Sequence, residues 1–381
     1  MLLAPPLSLR LSRSIAVAAV TASPPLLVRR ALPLLARASL TWTPSSPSPS
    51  LSSRYTTSSA TPPHPTQEEL FTPGTILRCD SSRDYKVEQV LSDRPPYLFV
   101  YRVSHGATQY IAKKMIKGEF DYQMKLQGLV SSSPNVRTVV DSNREHEIFI
   151  YSFFLGDLLQ LSQRNLAPET RKDILRSALR GLIDLHAKYI SHNDIKPNNI
   201  LLDYEEGKNG DLTIKSVQIS DLDDSVILSP EGAVQGPCCG NQIWRSPEAW
   251  ARARQSFPSD VFSFAIVMIY VVTDRMVFHV GDDLLNAEDS WRHILRRHLS
   301  YFGDEDGFNG YMDLIGEENP VHDRVMGLMN DFLTGDGPQS FQNWVDIDPT
   351  FRDLIVKMTR LDPALRITAQ QAIDHPWFSA A

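Results

Sequence analysis

The chain has 381 residues, of which 42% are hydrophobic and 22% are charged, and its formal net charge is -7. This composition is typical of a globular protein with a substantial core, built as one large two-lobed domain or as two ordinary domains. The acidic balance argues against non-specific nucleic-acid binding, which needs a basic face. The cysteines Cys79, Cys238 and Cys239 are too few for a disulfide framework or a zinc site, and they favour a reducing compartment.

Residues 1–67 differ in charge from the rest of the chain. They hold six arginines and no Asp or Glu, so they carry +6 and the remaining residues carry -13. Such an Arg-bearing, Ser-rich, acid-free segment is typical of a transit peptide, and mitochondrial import fits it best. A secretory signal, with the apolar run Ile15–Val20, is one alternative. A disordered tail without an address, which would leave the chain cytoplasmic, is another.

Strands are predicted after residue 84. The segments Tyr85–Leu91, Tyr97–Val103 and Gln109–Met115 alternate or are rich in aromatic and β-branched residues. A short helix over Gly118–Leu129 and a further strand over Glu147–Phe154 follow. This order predicts an antiparallel sheet with one helix beside it.

A longer helix is predicted over Glu169–His186, because apolar residues recur there at helical spacing. The apolar stripe indicates packing in a core. The longest later apolar run, Val261–Val272, is shorter than the roughly 20 residues that a bilayer requires, so no membrane span is predicted.

The stretch Ser191–Asp203 holds a carboxylate, an ammonium and a carboxamide at close spacing. Asp194, Lys196 and Asn199 can converge on one polar centre along an extended or looped backbone, and Ile200–Leu202 predicts a buried strand that anchors them. A carboxylate that accepts a hydroxyl proton, beside a cation and a metal-ligating amide, is what phosphoryl transfer needs.

This stretch resembles the catalytic loop of eukaryotic protein kinases, His-Arg-Asp-x-Lys-x-x-Asn, in its serine/threonine form. Further similarity lies in Ile-Ala-Lys-Lys (111–114), Asp-Leu-Asp-Asp (221–224), Trp-Arg-Ser-Pro-Glu (244–248) and Leu-Asp-Pro-Ala-Leu-Arg (361–366). The resemblance covers about residues 84–380. It implies an α+β, bilobal fold with a small antiparallel β-rich N-lobe (about 84–152) and a larger, mainly helical C-lobe (about 153–380).

The resemblance also implies roles for the polar residues of the C-lobe. Asp194 would orient the substrate hydroxyl and accept its proton, and Lys196 would stabilise charge on the transferred phosphoryl group. Asn199 and Asp221 would ligate Mg²⁺. Asp260 would brace the backbone of the catalytic loop.

In the N-lobe, the resemblance makes Lys114 the lysine that binds the ATP phosphates. Lys113 competes with it, since alternation puts one lysine on each face of the strand, but counting two residues from Ala112 favours Lys114. The helix should supply a glutamate as the partner of this lysine. The nearest candidates are Asp121 and Gln123, and neither is a clear match.

Three departures from the family pattern concern the nucleotide and the activation segment, which the resemblance places at Asp221–Glu248. The segment Leu91–Tyr97 has no glycine where the family has a glycine-rich loop, so backbone donors for phosphate are fewer. Asp223 stands where the family has glycine. Asn193 replaces an arginine that often clamps an activating phosphate, which predicts no such control, although Ser225 and Ser229 are available residues.

Glu248 and Arg366 match a pair that is structural in the family, and they are predicted to form a buried salt bridge. Taken together, the motifs indicate an ATP- and Mg²⁺-dependent serine/threonine protein kinase that acts on a protein substrate. The alternative is a pseudokinase, a binding or scaffold module with little or no phosphotransfer. The glycine-free loop, the lack of a clear helix glutamate and Asp223 favour the alternative. The enzyme is favoured by the retention together of Lys114, Asp194, Lys196, Asn199 and Asp221.

Overall fold

The computed structural model describes residues 71–94, 98–164, 166–208, 210–334 and 337–379. The predicted transit peptide at 1–67 lies outside these residues, so mitochondrial import stays a prediction. The prolines of the glycine-free turn, Pro95 and Pro96, also lie outside them.

Six antiparallel strands form the N-terminal sheet, in the order β1-β2-β3-β4-β6-β5. The strands are β1 (Ile76–Arg78), β2 (Asp84–Arg94), β3 (Leu98–His105), β4 (Thr108–Lys114), β5 (Asp141–Asn143) and β6 (Ile148–Ser152), and helix α1 (Phe120–Leu129) follows β4 in the chain. The predicted strands and the predicted short helix are confirmed. The sheet begins at Ile76, ahead of residue 84, because β1 pairs with the first residues of β2.

The side chains of β4 alternate between two apolar clusters. Ala112 is buried in one cluster, together with Tyr101 of β3. Ile111 and Met115, which directly follows the strand, pack in the other cluster with Phe120 of α1. Because strand side chains alternate with a period of two, the odd-numbered residues of β4 face α1.

The remaining described residues form a mainly helical lobe with three short strand pairings. Its strands are β7 (Gly156–Asp157), β8 (Ile190–Ser191), β9 (Ile200–Glu206), β10 (Leu212–Ile219) and β11 (Val226–Ile227). Its helices are α2 (Leu158–Ser162), α3 (Pro168–Ala187), α4 (Pro247–Trp250), α5 (Phe257–Thr273), α6 (Asp282–Leu285), α7 (Ser290–Phe302), α8 (Glu305–Ile315), α9 (His322–Thr334), α10 (Pro349–Met358), α11 (Ala369–Ile373) and α12 (Pro376–Ser379). The fold is therefore α+β and bilobal, as predicted.

Helices α3 and α5 form the centre of this lobe. The apolar stripe of α3 is buried as its periodicity predicts, and α5 is buried along nearly its whole length. A helix that is apolar on all sides must be surrounded by protein or by lipid. Within the described ranges, no helix is both long enough and apolar enough to cross a bilayer.

His298 of α7 is a polar side chain placed entirely within the apolar core. Its ring stacks on Phe278, with centroids 3.9 Å apart, and lies 5.2 Å from the ring of Phe262. Neither ring nitrogen has a hydrogen-bond partner among the described residues. Burial, together with the positive charges of Arg366 and Arg245, lowers the pKa of His298 well below its ordinary value of 6.5.

We expect His298→Phe to raise the free energy of unfolding by about 1–2 kcal/mol, because it removes unsatisfied buried polar atoms and keeps the ring stack. The effect should depend on pH. Below pH 6.5 the unfolded chain binds a proton at His298 that the folded chain does not. The free energy of unfolding of the native protein therefore falls as the pH is lowered, by up to about 1.4 kcal/mol per pH unit.

Urea unfolding at pH 7.5 and at pH 5.5 measures both effects. The fall in stability between these pH values should be smaller in His298→Phe than in the native protein. His279→Gln is the control, because His279 is exposed. Equal pH dependence in the native protein and His298→Phe would contradict the assignment.

Candidate active site

The loop between β8 and β9 carries the predicted catalytic residues, and Asp260 of α5 holds its backbone. The carboxylate of Asp260 accepts the N–H groups of His192 and Asn193, each at 2.8 Å, and the hydroxyl of Ser191 at 3.1 Å. His186 of α3 contacts the same carboxylate at 3.0 Å. The predicted bracing by Asp260 is confirmed, and the loop is anchored to the most buried helix of the lobe.

The charge of this bracing carboxylate is stabilised by its neighbours. Burial alone would raise the pKa of Asp260, but the hydrogen bond and charge of His186 and the amide of His192 outweigh burial and lower the pKa. Asp260 is 1% exposed. A carboxylate that stays ionised in this position keeps accepting the backbone donors of the loop.

Asp194, Lys196 and Asn199 converge as their spacing predicts. The Lys196 ammonium donates to Asp194 Oδ2 at 2.6 Å. The Asn199 amide nitrogen donates to the main-chain oxygen of Asp194 at 2.9 Å and to its Oδ2 at 3.2 Å. Asp194 is 5% exposed. The carboxylate is therefore held in one orientation beside a cation.

The activation segment closes over this carboxylate. The backbone N–H of Asn241 donates to Asp194 Oδ1 at 3.0 Å. Gly240, with φ of +79°, lies so close to the catalytic loop that a Cβ atom would be 3.0 Å from the carbonyl oxygen of Asn193. Glycine alone fits this backbone comfortably. The contact of Asn241 was not predicted from the sequence, because a backbone N–H group can donate whatever the side chain is.

The lysine of β4 that enters the site is Lys113, and the prediction of Lys114 is corrected here. Lys113 Nζ lies 2.6 Å from Asp221 Oδ1 and 2.8 Å from Asp223 Oδ2. The count from Ala112 misled because Ala112 packs on the opposite face of the sheet. Lys114 therefore shares the face of Ala112, away from α1.

The electrostatic environment of Lys113 follows from its two carboxylates. Burial by itself would lower the pKa of Lys113, but Asp221 and Asp223 outweigh it and raise the pKa. The side chain of Lys113 is 14% exposed. The lysine is charged at neutral pH and is held at the start of the activation segment.

Neither candidate on α1 supplies a carboxylate partner for Lys113. Asp121 points outward, where it pairs with Arg144 at 2.6 Å. Gln123 is buried, and its amide nitrogen donates to the main-chain oxygens of Leu222 and Asp223, both at 3.2 Å. The helix thus contacts the activation segment through hydrogen bonds from the Gln123 side chain to main-chain oxygens.

Asn199 and Asp221, the predicted metal ligands, belong to segments that are hydrogen-bonded to each other. The N–H of Ser220 donates to the main-chain oxygen of Asn199 at 2.7 Å, and the Ser220 hydroxyl donates to the same oxygen at 3.1 Å. Asp221 has a left-handed backbone, with φ of 63°. An amide oxygen and a carboxylate are hard donors that suit Mg²⁺, so these residues fit the ion that the resemblance implies.

Asn193 has a structural role that its family position did not predict. With φ of 66°, it accepts the Ser191 hydroxyl at 2.9 Å and donates to the main-chain oxygen of Asp224, also at 2.9 Å. The side chain thereby ties the catalytic loop to the activation segment.

Ser225 is 1% exposed and donates to the main-chain oxygen of His192, so it is a poor candidate for phosphorylation.

The predicted pair of Glu248 and Arg366 is confirmed. The Arg366 guanidinium donates to the two carboxylate oxygens of Glu248 at 2.6 and 2.8 Å, and both side chains are fully buried. Ser259 donates to the same carboxylate at 2.6 Å. The pair links the end of the activation segment, at Glu248, to the segment that precedes α11.

The relatives of the chain are protein kinases and kinase-like proteins. A CaM kinase-like vesicle-associated protein of Homo sapiens is 22% identical over 251 residues, which cover 65% of this chain and 42% of that protein. Ribosomal protein S6 kinase alpha-2 of Mus musculus is 26% identical over 290 residues, covering 74% and 34%. The phosphorylase b kinase gamma catalytic chain, liver/testis isoform, of Homo sapiens is 26% identical over 255 residues, covering 65% and 51%. The chain spans about a third to a half of the length of these relatives.

A solved crystal structure of a kinase domain matches 82% of this chain and 99% of its own chain, with a TM-score of 0.59 and 16% sequence identity. At this identity the likeness shows a common fold. The family model of the protein kinase domain matches residues 100–378, which is most of the chain and includes both lobes. The chain therefore belongs to the protein kinase family.

Proposed function

We propose that the chain is a serine/threonine protein kinase that transfers the γ-phosphate of ATP to a protein hydroxyl with the help of Mg²⁺. The observation that carries the proposal is the state of Asp194: a buried carboxylate, oriented by Lys196, Asn199 and the N–H of Asn241. A binding module has no need of a carboxylate held in this way. Relatives named as S6 kinase and phosphorylase kinase support the choice of reaction.

Each group has a defined task in this proposal. Asp194 orients the incoming hydroxyl and accepts its proton, and Lys196 neutralises charge on the transferred phosphoryl group. Lys113 binds the phosphates of ATP. Asn199 and Asp221 hold Mg²⁺, which supplies electrostatic stabilisation of the phosphate oxygens when it is bound.

Hydrogen bonds between its own residues and the catalytic loop hold the activation segment in place. The side chain of Asn193 binds the backbone at Asp224, and the backbone of Asn241 binds Asp194. These contacts do what an arginine and a phosphorylated residue do in kinases that require activation. We therefore propose that activity does not depend on phosphorylation of this segment.

A pseudokinase is the second candidate, and one observation favours it. Lys113 pairs directly with Asp221, the proposed metal ligand, at 2.6 Å. A lysine that remains on this carboxylate competes with Mg²⁺ for it. Binding of Mg²⁺ and nucleotide must therefore move the ammonium toward the phosphates if the enzyme is active.

The test is a γ-phosphate transfer assay with the full chain, labelled ATP and Mg²⁺, using one basic and one acidic test protein. We expect label on serine or threonine, with none after chelation of Mg²⁺ and a loss of about 10²–10⁴-fold in Asp194→Asn, which lacks the proton acceptor. Equal labelling by the native chain and Asp194→Asn would reject the enzyme. Nucleotide binding without transfer would then establish the pseudokinase.

A further inference from the structure

Lys113 receives both of its carboxylate partners from one short segment. Asp221 and Asp223 flank Leu222, and their carboxylate oxygens lie 2.6 and 2.8 Å from Lys113 Nζ. All three charged side chains are largely shielded from water, and Asp223 is the most shielded carboxylate, with 12% of its side chain exposed. Ion pairs that are this close and this desolvated are screened little by salt.

Helix α1 has no carboxylate in a position to compete for this lysine. The side chain of Asp121 is 80% exposed and is engaged by Arg144. Gln123 is 2% exposed, and its amide nitrogen binds the carbonyl oxygens of Leu222 and Asp223. The helix therefore holds the backbone of the residue whose side chain contacts the lysine.

We propose that Asp223 is the positioning residue for Lys113, in the place of a helix carboxylate, and that α1 acts on the lysine indirectly through Gln123 and the backbone of residues 222–223. This inference rests on the proposed kinase function. It gives a reason for an acid where the family has glycine. The metal ligand Asp221 and the partner of the lysine then move together, as parts of one segment.

Measurements of kcat and of the KM for ATP test whether Asp223 positions Lys113. Asp223→Asn keeps the shape of the side chain and removes its charge, and we expect kcat to fall by about 10²-fold with a smaller change in the KM for ATP, because the lysine is misplaced in the transition state. Asp121→Asn is the matched control and should have native activity. A kcat of Asp223→Asn within twofold of the native value would overturn the proposal.

The conservative variant separates positioning from a general structural effect. Asp223→Glu keeps a carboxylate at this position, and we expect it to be at least about tenfold more active than Asp223→Asn. A merely structural role of the Asp223 side chain would favour Asp223→Asn, which keeps its shape. An Asp223→Glu variant no more active than Asp223→Asn would count against the proposal.

A thermal-unfolding cycle decides the same question without catalysis. Lys113→Met and Asp223→Asn should each lower the Tm, and the double variant should lose clearly less than the two losses combined, because the partners share one interaction. Additive losses would overturn the pairing. If the native chain transfers no phosphate, the proposed function fails, yet this cycle still shows whether Asp223 holds Lys113.

Discussion

Lys113→Met is expected to lower kcat/KM for phosphate transfer by about 10²–10³-fold, whereas Lys114→Met should retain activity within about threefold. The two lysines are adjacent and chemically identical, so only their direction distinguishes them. Lys113 faces α1 and lies 2.6 Å from Asp221, the proposed metal ligand. Methionine has a similar length to lysine and no charge, so it removes the electrostatic contact with little change in packing.

The measurement is a comparison of kcat and KM for ATP in the native chain and in the two variants. Each variant serves as the control for the other, because both change one lysine on the same strand. A greater loss in Lys114→Met than in Lys113→Met would reject the geometry of β4. Equal losses would point to damage of the strand itself.

Arg366→Met should lower the free energy of unfolding by about 3–5 kcal/mol, because it strands the buried carboxylate of Glu248 without its partner. The guanidinium also donates to the main-chain oxygens of Arg360 and Pro258, at 2.6 and 2.9 Å. These acceptors lose their donor in the variant as well. The segment that closes over the catalytic loop is therefore expected to loosen.

A surface salt bridge provides the matched control for this prediction. Arg292 and Asp331 are 2.8 Å apart, but their side chains are 51% and 38% exposed. Exposed pairs contribute about 0–1 kcal/mol, so Arg292→Met should change stability little. Urea unfolding of the two variants measures the difference. A cost of Arg366→Met no larger than that of Arg292→Met would contradict the role of the buried pair.

Local pattern was sufficient for much of the fold and part of the site. The helical periodicity of α3 and the alternation of the N-terminal strands are properties of neighbouring residues, and both are confirmed. Asp194, Lys196 and Asn199 converge because they lie within one short loop. The pair of Glu248 and Arg366 is far apart in the chain, and only the resemblance to kinases made it predictable.

At β4 the local pattern was insufficient. The alternation of side chains correctly predicts that Lys113 and Lys114 face opposite sides of the sheet. It does not predict which of the two sides faces the candidate active site. That choice depends on which face of the sheet α1 covers. Ala112 was a misleading reference, because it packs with Tyr101 on the face of the sheet that points away from α1.

The sequence by itself determined the bilobal kinase fold and a catalytic loop that retains Asp194, Lys196 and Asn199, because short motifs and apolar periodicity are local properties of the chain. Only the tertiary structure decided which lysine enters the site, that Asp223 and Asp221 hold it, and that Asn193 and Asn241 tie the activation segment to the loop. The physical reason is distance. These contacts join segments that are far apart in the chain or use backbone donors. Neither kind of contact can be inferred from residue type alone.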